Sequence, residues 1–308
     1  RAPMSPSSGY NYTYIQTGNV QNQGIEIILG SRFDITPSFS WSSSLNFDCN
    51  KNKIKELVKN VRNPQNPETP LFKEDELLKD NFGNAQIILR PGGTLGDIYA
   101  KTDFVRDANG NIDISQDVKP RDKYMKLGSI LPDANLGWRN DFSYKQLSFG
   151  FMLSARLGGI VVSGTQAAMD YSGVSKLTAD MRDIGGVEVT ADARDAGGVF
   201  VGGGMIIPAQ KYYQSQGRPK DYLTQYYTYS ATNLRLREAY VAFNIPRKWL
   251  GNVVDLNISL TGKNLWMIYN KAPFDPETIF STDNYAQGLD YFMTPSLRSM
   301  GFSVKAVF

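Results

Sequence analysis

Between Ser38 and Asn50 the chain alternates with a period of two. Phe39, Trp41, Ser43, Leu45, Phe47 and Cys49 take the odd places; Ser38, Ser40, Ser42, Ser44, Asn46, Asp48 and Asn50 take the even ones. In an extended backbone successive side chains point to opposite faces, so this segment is a strand with one apolar and one polar face. The pattern recurs. Val254, Leu256, Ile258 and Leu260 alternate with Asp255, Asn257, Ser259, Thr261 and Lys263. Leu147, Phe149, Phe151, Leu153, Ala155 and Leu157 face Ser148, Gly150, Ser154 and Arg156. Leu136, Trp138, Phe142 and Tyr144 alternate with Arg139, Asp141 and Lys145, and Ile25, Ile27, Leu29 and Phe33 with Glu26, Gly30 and Arg32. The last segment sets Phe302, Val304, Ala306 and Phe308 against Ser303 and Lys305. These runs are roughly 10 residues long, the length of a tilted membrane-crossing strand. An ordinary soluble strand is nearer ~5–6 residues.

The alternation predicts strands near 24–34, 38–50, 85–90, 94–105, 134–145, 147–158, 233–245, 253–268 and 296–308, eight or nine in all. The third and fourth read either as a hairpin about Gly92-Gly93 or as one irregular strand. A large soluble β-sandwich also alternates. The connections separate the two readings. Asp34–Pro37, Lys145-Gln146 and Pro246–Asn252 are short, whereas Asn50–Asn84, Gly159–Thr232 and Asn270–Met293 are long. Short and long ends take turns along the chain, which is the asymmetry of an outer-membrane barrel. Within 233–244 the phase breaks: Leu234 and Leu236 are even, while Ala239, Val241 and Phe243 are odd. Either a β-bulge at Arg237-Glu238 restores one apolar face, or the two leucines pack inside the barrel.

Composition limits the alternatives. No apolar run approaches the ~18 residues of a membrane helix. Net charge is +3 and the basic residues are scattered, so no nucleic-acid partner is expected. The chain has no histidine, which excludes a Ser-His or Cys-His triad. Its carboxylates are dispersed, and no glycosidase pair stands out. Cys49 is the single cysteine and has no metal-ligand spacing around it. No enzyme activity, resident metal or cofactor is expected. Arg1–Pro6 does not read as a secretion leader, so a mature protein or one section of a longer chain is expected.

In series, several segments resemble the SusC/RagA family of TonB-dependent outer-membrane receptors. They are Val20–Glu26, Asn50–Ile54, Leu127–Pro132, Asn135–Gly137 and Phe142–Lys145. They continue with Tyr171–Ser175, Ala231–Glu238, Gly262–Leu265, Phe274–Glu277 and the aromatic C-terminus. Each match is weak alone; together they keep one order along nearly the whole chain. The resemblance implies a barrel of about 22 strands around an N-terminal plug. It further implies a Gram-negative, Bacteroidetes-like outer membrane, a SusD-like lipoprotein lid and energy supplied through TonB. Neither a plug nor a TonB box is identifiable here, so residues 1–308 are expected to be the C-terminal part of the wall. An open sheet of this size leaves unpaired edges in lipid, and the remainder of the barrel and plug must complete it. The terminal Phe308 resembles the signal read by the assembly machinery.

Lumen-facing candidates are Asp48, Arg139, Asp141, Arg156, Asp255 and Lys263, with Glu26, Arg32, Lys145 and Lys305 on the same polar face. They either contact plug and solute or form a hydrated wall of paired charges. Trp41, Trp138, Trp249 and Trp266 suit aromatic girdles, and Trp249, after a short turn, suits the periplasmic rim. In the longest connection, Gln166–Arg182 reads as a short surface helix. Tyr212, Tyr213, Tyr222, Tyr226 and Tyr227 follow it as candidates for ligand or lid contact, or for packing of the loop itself. Asp107, Asn109, Asn111 and Asp113 have alternate oxygens, but Ile112 and Val118 replace the Gly and Glu of a calcium loop. An Asn-Gly turn fits better. Energised import of a glycan or oligopeptide is the reading the resemblance favours, with a passive porin or an adhesion barrel as the alternative.

Overall fold

The computed structural model describes residues 2–3, 9–10, 12–13, 18–59, 62–63, 66–70, 76–82, 84–105, 118–189, 205–219, 221–281 and 287–308. In chain order the principal elements are β1 (Gly18–Thr36), β2 (Phe39–Leu57), β3 (Leu77–Phe82), β4 (Ala85–Leu89), β5 (Asp97–Asp103) and β6 (Lys119–Ser129). Then come β7 (Ala134–Tyr144), β8 (Leu147–Leu157), β9 (Ile160–Ser163), α1 (Gly164–Tyr171), α2 (Lys176–Asp183), β10 (Val187–Val189) and β11 (Met205–Ile207). The last are α3 (Ala209–Gln216), β12 (Thr228–Ser230), β13 (Asn233–Ile245), β14 (Asp255–Asn270), β15 (Leu289–Asp290) and β16 (Ser299–Val307).

β1, β2, β7, β8, β13, β14 and β16 pair in that order into one seven-stranded antiparallel sheet. Its register lines up the apolar positions. Phe33, Trp41, Phe142, Phe149, Val241, Leu260 and Phe302 stand opposite one another in an unbroken row across all seven strands. Cross-strand stacking supports the row: ring centroids lie 5.3 Å apart for Phe33–Trp41, 6.1 Å for Trp41–Phe142 and 4.8 Å for Phe142–Phe149. None of Phe39, Trp41, Leu45, Phe47, Phe149, Phe151, Leu256 and Ile258 is buried. Ile25, Leu29 and Phe302 are 58%, 61% and 66% exposed. In a sandwich these side chains would form the core between two sheets. Among the described residues no second sheet covers them, so the sandwich reading falls and the face is available to lipid.

The phase break is a bulge. Met152 pairs with Glu238 and Leu153 with Leu236, which leaves Arg237 as the extra residue. Leu234 and Leu236 thereby return to the apolar face, opposite Ala155 and Leu153. Polar side chains interrupt that face, among them Asn140 and Ser43, which stand opposite each other. Asn140 is 1% exposed and its Oδ1 accepts the Trp41 indole N–H at 3.1 Å. The Trp138 indole donates to Ser43 Oγ at 3.0 Å. Two large apolar rings with a single polar handle each cover both oxygens.

Among the described residues the wall has seven strands, which corrects the expected eight or nine. Segments 85–90 and 94–105 are strands and do form a hairpin, β4–β5, but they belong to a separate four-stranded sheet ordered β6-β5-β4-β3. Ile87, Ile88, Leu89 and Ile98 are all buried, so both faces of this sheet are covered, unlike a wall strand. β6 escapes sequence reading because its charges, Lys119 to Lys126, break the period. Removing one hairpin from the wall leaves the up-and-down order intact. Short connections lie at 37–38, 145–146 and 246–254, and long ones at 58–133, 158–232 and 271–298 on the opposite end.

The three long connections share one hydrophobic core. It joins Ala85, Ile87, Ile98 and Ile130 of the first to Val162, Ala167, Tyr222 and Tyr227 of the second and Leu289 of the third. β9 pairs antiparallel with β12 and parallel with β15. The surface helix expected over 166–182 is two helices, α1 and α2, parted at Gly173, which takes φ +69°. Ser163 and Ser175 cap them by accepting the N–H groups of Gln166 and Thr178. The Asp107–Asp113 stretch lies outside the described residues.

Candidate functional site

The polar face of the sheet carries one compact charge cluster. Arg139 grips Asp141 with two hydrogen bonds, 2.9 and 3.1 Å, and Tyr240 Oη donates to the same carboxylate at 2.8 Å. Glu238 Oε1 lies 3.9 Å from the Arg139 guanidinium, and Lys263 stands opposite Glu238 in register. Gly150 makes the cluster possible: a Cβ there would meet the Tyr240 ring at 2.6 Å and Asp141 at 2.7 Å. Sequence reasoning named Arg139, Asp141 and Lys263 but missed Glu238 and Tyr240. The phase shift beyond Arg237 was the signal that could have placed them.

The other lumen candidates lie apart. Asp48 accepts the Asn135 side-chain amide at 2.9 Å. Asp255 sits at the short-turn end and binds the Arg247 backbone N–H and Nε at 3.0 and 2.9 Å, closing the connection 246–254. Arg156 is placed differently from an open lumen residue. Its guanidinium donates to the Ile130 carbonyl at 2.6 Å and so ties the wall to the loop body. Of the four tryptophans, Trp41 stands near the short-turn end and Trp249 meets Phe243 at that rim in a tilted contact, ring centroids 6.3 Å apart. Trp266 is exposed on the long-loop half of β14, and Trp138 lies mid-strand.

Two distant motifs meet above this cluster. Arg235 binds Asp275 at 2.5 Å, and Arg237 binds Glu277 at 2.5 Å and Ser154 Oγ at 3.0 Å. Asn233–Glu238 is thus locked to Phe274–Glu277, and the last long connection is held against the polar face. Burial alone would push the Asp275 carboxyl up. Hydrogen bonds from Arg235, from Ser296 and from the backbone N–H of Glu277, with the Arg235 charge, outweigh it and hold the carboxyl below the usual range.

The five tyrosines divide. Tyr213, Tyr222 and Tyr227 are buried in the loop body. Burial, with the Asp170 carboxylate nearby, pushes the Tyr213 hydroxyl up to about 12, and burial raises Tyr222 and Tyr227 as well. Tyr226 is exposed and meets Phe104 edge-on at 5.7 Å, and Tyr212 meets Tyr213 edge-on at 5.3 Å while staying partly exposed. Only Tyr212 and Tyr226 therefore present ring surface outward. Sequence reasoning overlooked Tyr291 and Phe292, both exposed. Phe292 takes φ +52° and its N–H donates to Thr165 Oγ1 at 2.6 Å; no residue pattern announces such a turn.

No protein-family model matches the chain. TonB-dependent receptor P3 of Formosa agariphila is 24% identical over 324 residues, which cover 98% of this chain and 30% of the relative. TonB-dependent receptor P26 of the same organism is 26% identical over 334 residues, with the same coverage of 98% and 30%. The RagAB peptide importer in its open-open state superposes with TM-score 0.64 at 15% identity, over 100% of this chain and 31% of that one. A structure of the RagAB peptide transporter gives 0.61 at 16% identity, over 99% and 31%. The chain therefore spans about 30% of the length of the curated relatives it matches. The structural likeness carries the fold, a section of barrel wall.

Proposed function

We infer that this chain, which belongs with the SusC/RagA-type TonB-dependent receptors, is the C-terminal wall section of an importer in the outer membrane of a Bacteroidetes-type bacterium. Residues 1–308 supply seven lipid-facing strands and three packed outer connections. The remaining wall, the plug and the TonB contact come from the rest of the receptor. Its cargo is a nutrient too large for passive diffusion, a glycan or an oligopeptide, captured together with a SusD-like surface lipoprotein.

One observation carries this reading: the three long connections build a single folded body at one end of the sheet, with one core and a three-stranded sheet drawn from two of them. A passive pore needs no folded body over its mouth. Capture under a lid does, because a closing partner requires a surface of fixed shape. Tyr212 and Tyr226 remain the tyrosines positioned for ligand or lid contact. Passive passage and adhesion without transport find no comparable support.

The test uses the full-length receptor in cells. Uptake of defined oligopeptides and oligosaccharides is measured with and without functional TonB, alongside co-purification of a surface lipoprotein. The importer reading expects uptake to vanish without TonB and the lipoprotein to follow the receptor through purification. Uptake that persists unchanged without TonB contradicts it and supports the passive channel.

A further inference from the structure

We propose that the pocket between the long-loop half of β14 and the connection 271–298 binds a carboxylate on the imported solute, with Arg298 at its rim and Arg235 at its base. The pocket encloses about 430 Å³, within the span of small-ligand sites. It opens on the polar face, since Arg235 and Met267 stand opposite each other in register on that side. This assignment deepens the import reading above and rests on it.

The charge balance of the pocket points to an anion. Among its lining residues there are two guanidiniums, Arg235 and Arg298, and one carboxylate, Asp275. Asp275 is already occupied. Its Oδ1 accepts from Arg235 and from the Glu277 N–H at 3.1 Å, and its Oδ2 accepts from the Ser296 N–H at 3.2 Å. Arg298 is exposed and has no ion-pair partner among the described residues. Arg235 is only 3% exposed, yet its Nε–H has no acceptor. Buried donors nearly always find an acceptor, and this one belongs to a residue that lines the base of the pocket.

The walls are built and held. Asn270 clamps the strap by donating to the carbonyls of Ala272 and Phe274 at 2.9 and 2.6 Å. Asn264 donates to the Leu297 carbonyl at 3.1 Å and so fixes the backbone that presents Arg298. Met267 and Phe274 supply an apolar side on which the body of the solute rests. The rigid fork of an arginine matches a carboxylate in a way that a neutral hydroxyl cannot reproduce. Two kinds of large nutrient carry that group: peptides through their C-terminus, and glycans through uronic acids.

The experiment uses the full-length receptor purified in detergent, titrated calorimetrically with two probe pairs. Trialanine is compared with trialanine amide, and methyl glucuronide with methyl glucoside. At least one acid should bind about ten-fold or more tightly than its neutral twin, the value of one charge-assisted hydrogen bond. Arg298→Gln, at an exposed position, should abolish that preference while leaving the heat-modifiable mobility of the folded barrel unchanged. Preference within the peptide pair identifies a peptide carboxylate, and preference within the sugar pair an acidic glycan. Equal binding of both acids and their twins overturns the site, as does an acid preference that survives Arg298→Gln. An acid preference found in a receptor that supports no TonB-dependent uptake upholds the site and counts against import alone.

Discussion

Arg235 sits where the wall meets its last connection, and its two neighbours in charge decide how firmly they are joined. The Arg235 and Asp275 side chains are 4% and 10% exposed. Removing one partner of such a buried pair leaves the other charge without compensation and costs ~3–5 kcal/mol. Arg235→Met should therefore free the segment 271–281 while the wall stays folded. Hydrogen exchange should show its amides losing protection with the β7–β8 amides unchanged, and full protection in the variant would show that the pair holds nothing. Both motifs, Ala231–Glu238 and Phe274–Glu277, were visible in the sequence. Their meeting was not, because the 40-residue separation between partners has no periodic signature. The buried tyrosines give a second prediction. Their folded pKa values are raised above 10, to about 12 for Tyr213 and in the same direction for Tyr222 and Tyr227. Below pH 10 these hydroxyls are neutral in both states and contribute no pH dependence. Above it the unfolded loop ionises first, the folded loop binds more protons, and stability falls as pH rises toward 12 and beyond. Tyrosinate absorbance from these residues should appear together with proteolytic opening of the loop body. Their ionisation near pH 10 with that body intact would contradict the packing.

Among the elements, the wall strands were the most legible. A wall with lipid on one side and water on the other imposes period-two alternation over roughly ten residues, and even the phase break in 233–244 pointed to its own cause. The bulge at Arg237 is essential to that strand. Deleting Arg237 would shift Asn233 and Arg235 onto the lipid side and turn Leu234 and Leu236 inward. A charged arginine on the lipid face costs ~2–4 kcal/mol at the midplane and less toward the interface. The deletion should sharply reduce the assembled, heat-modifiable form in cells, whereas Arg237→Gly, which keeps the extra residue, should assemble. Equal assembly of both would mean that the register does not depend on the bulge. The β4–β5 hairpin was legible as strands but not as to which sheet it joins. Its runs Ala85–Leu89 and Ile98–Ala100 are apolar but for Gln86 and are buried throughout, and that is the mark of burial on both faces rather than of a wall. β6 hid behind its lysines and arginine.

At the scale of the whole molecule, the architecture follows from which ends of the strands are long. Antiparallel order sends 58–133, 158–232 and 271–298 to the same end, and once there they bury Ile87, Ile130, Val162, Tyr227 and Leu289 together. The sequence revealed the asymmetry of the connections but not their common core, because those contacts join segments far apart along the chain. The wall remains the premise for every inference about import, and its exposed apolar face is what distinguishes a membrane wall from a layer of soluble protein. The direct test is a cysteine scan of residues 255–261 and 301–307 in the assembled full-length receptor, on a background of Cys49→Ser, with spin labels read against a lipid-soluble and a water-soluble quencher. The lipid-soluble quencher should reach Leu256, Ile258, Leu260, Phe302, Val304 and Ala306, and the water-soluble one should reach Asp255, Asn257, Ser259, Ser303 and Lys305 or find them covered by the plug. Even-numbered positions shielded from both quenchers, as in a core between two sheets, would contradict the barrel wall and everything built on it.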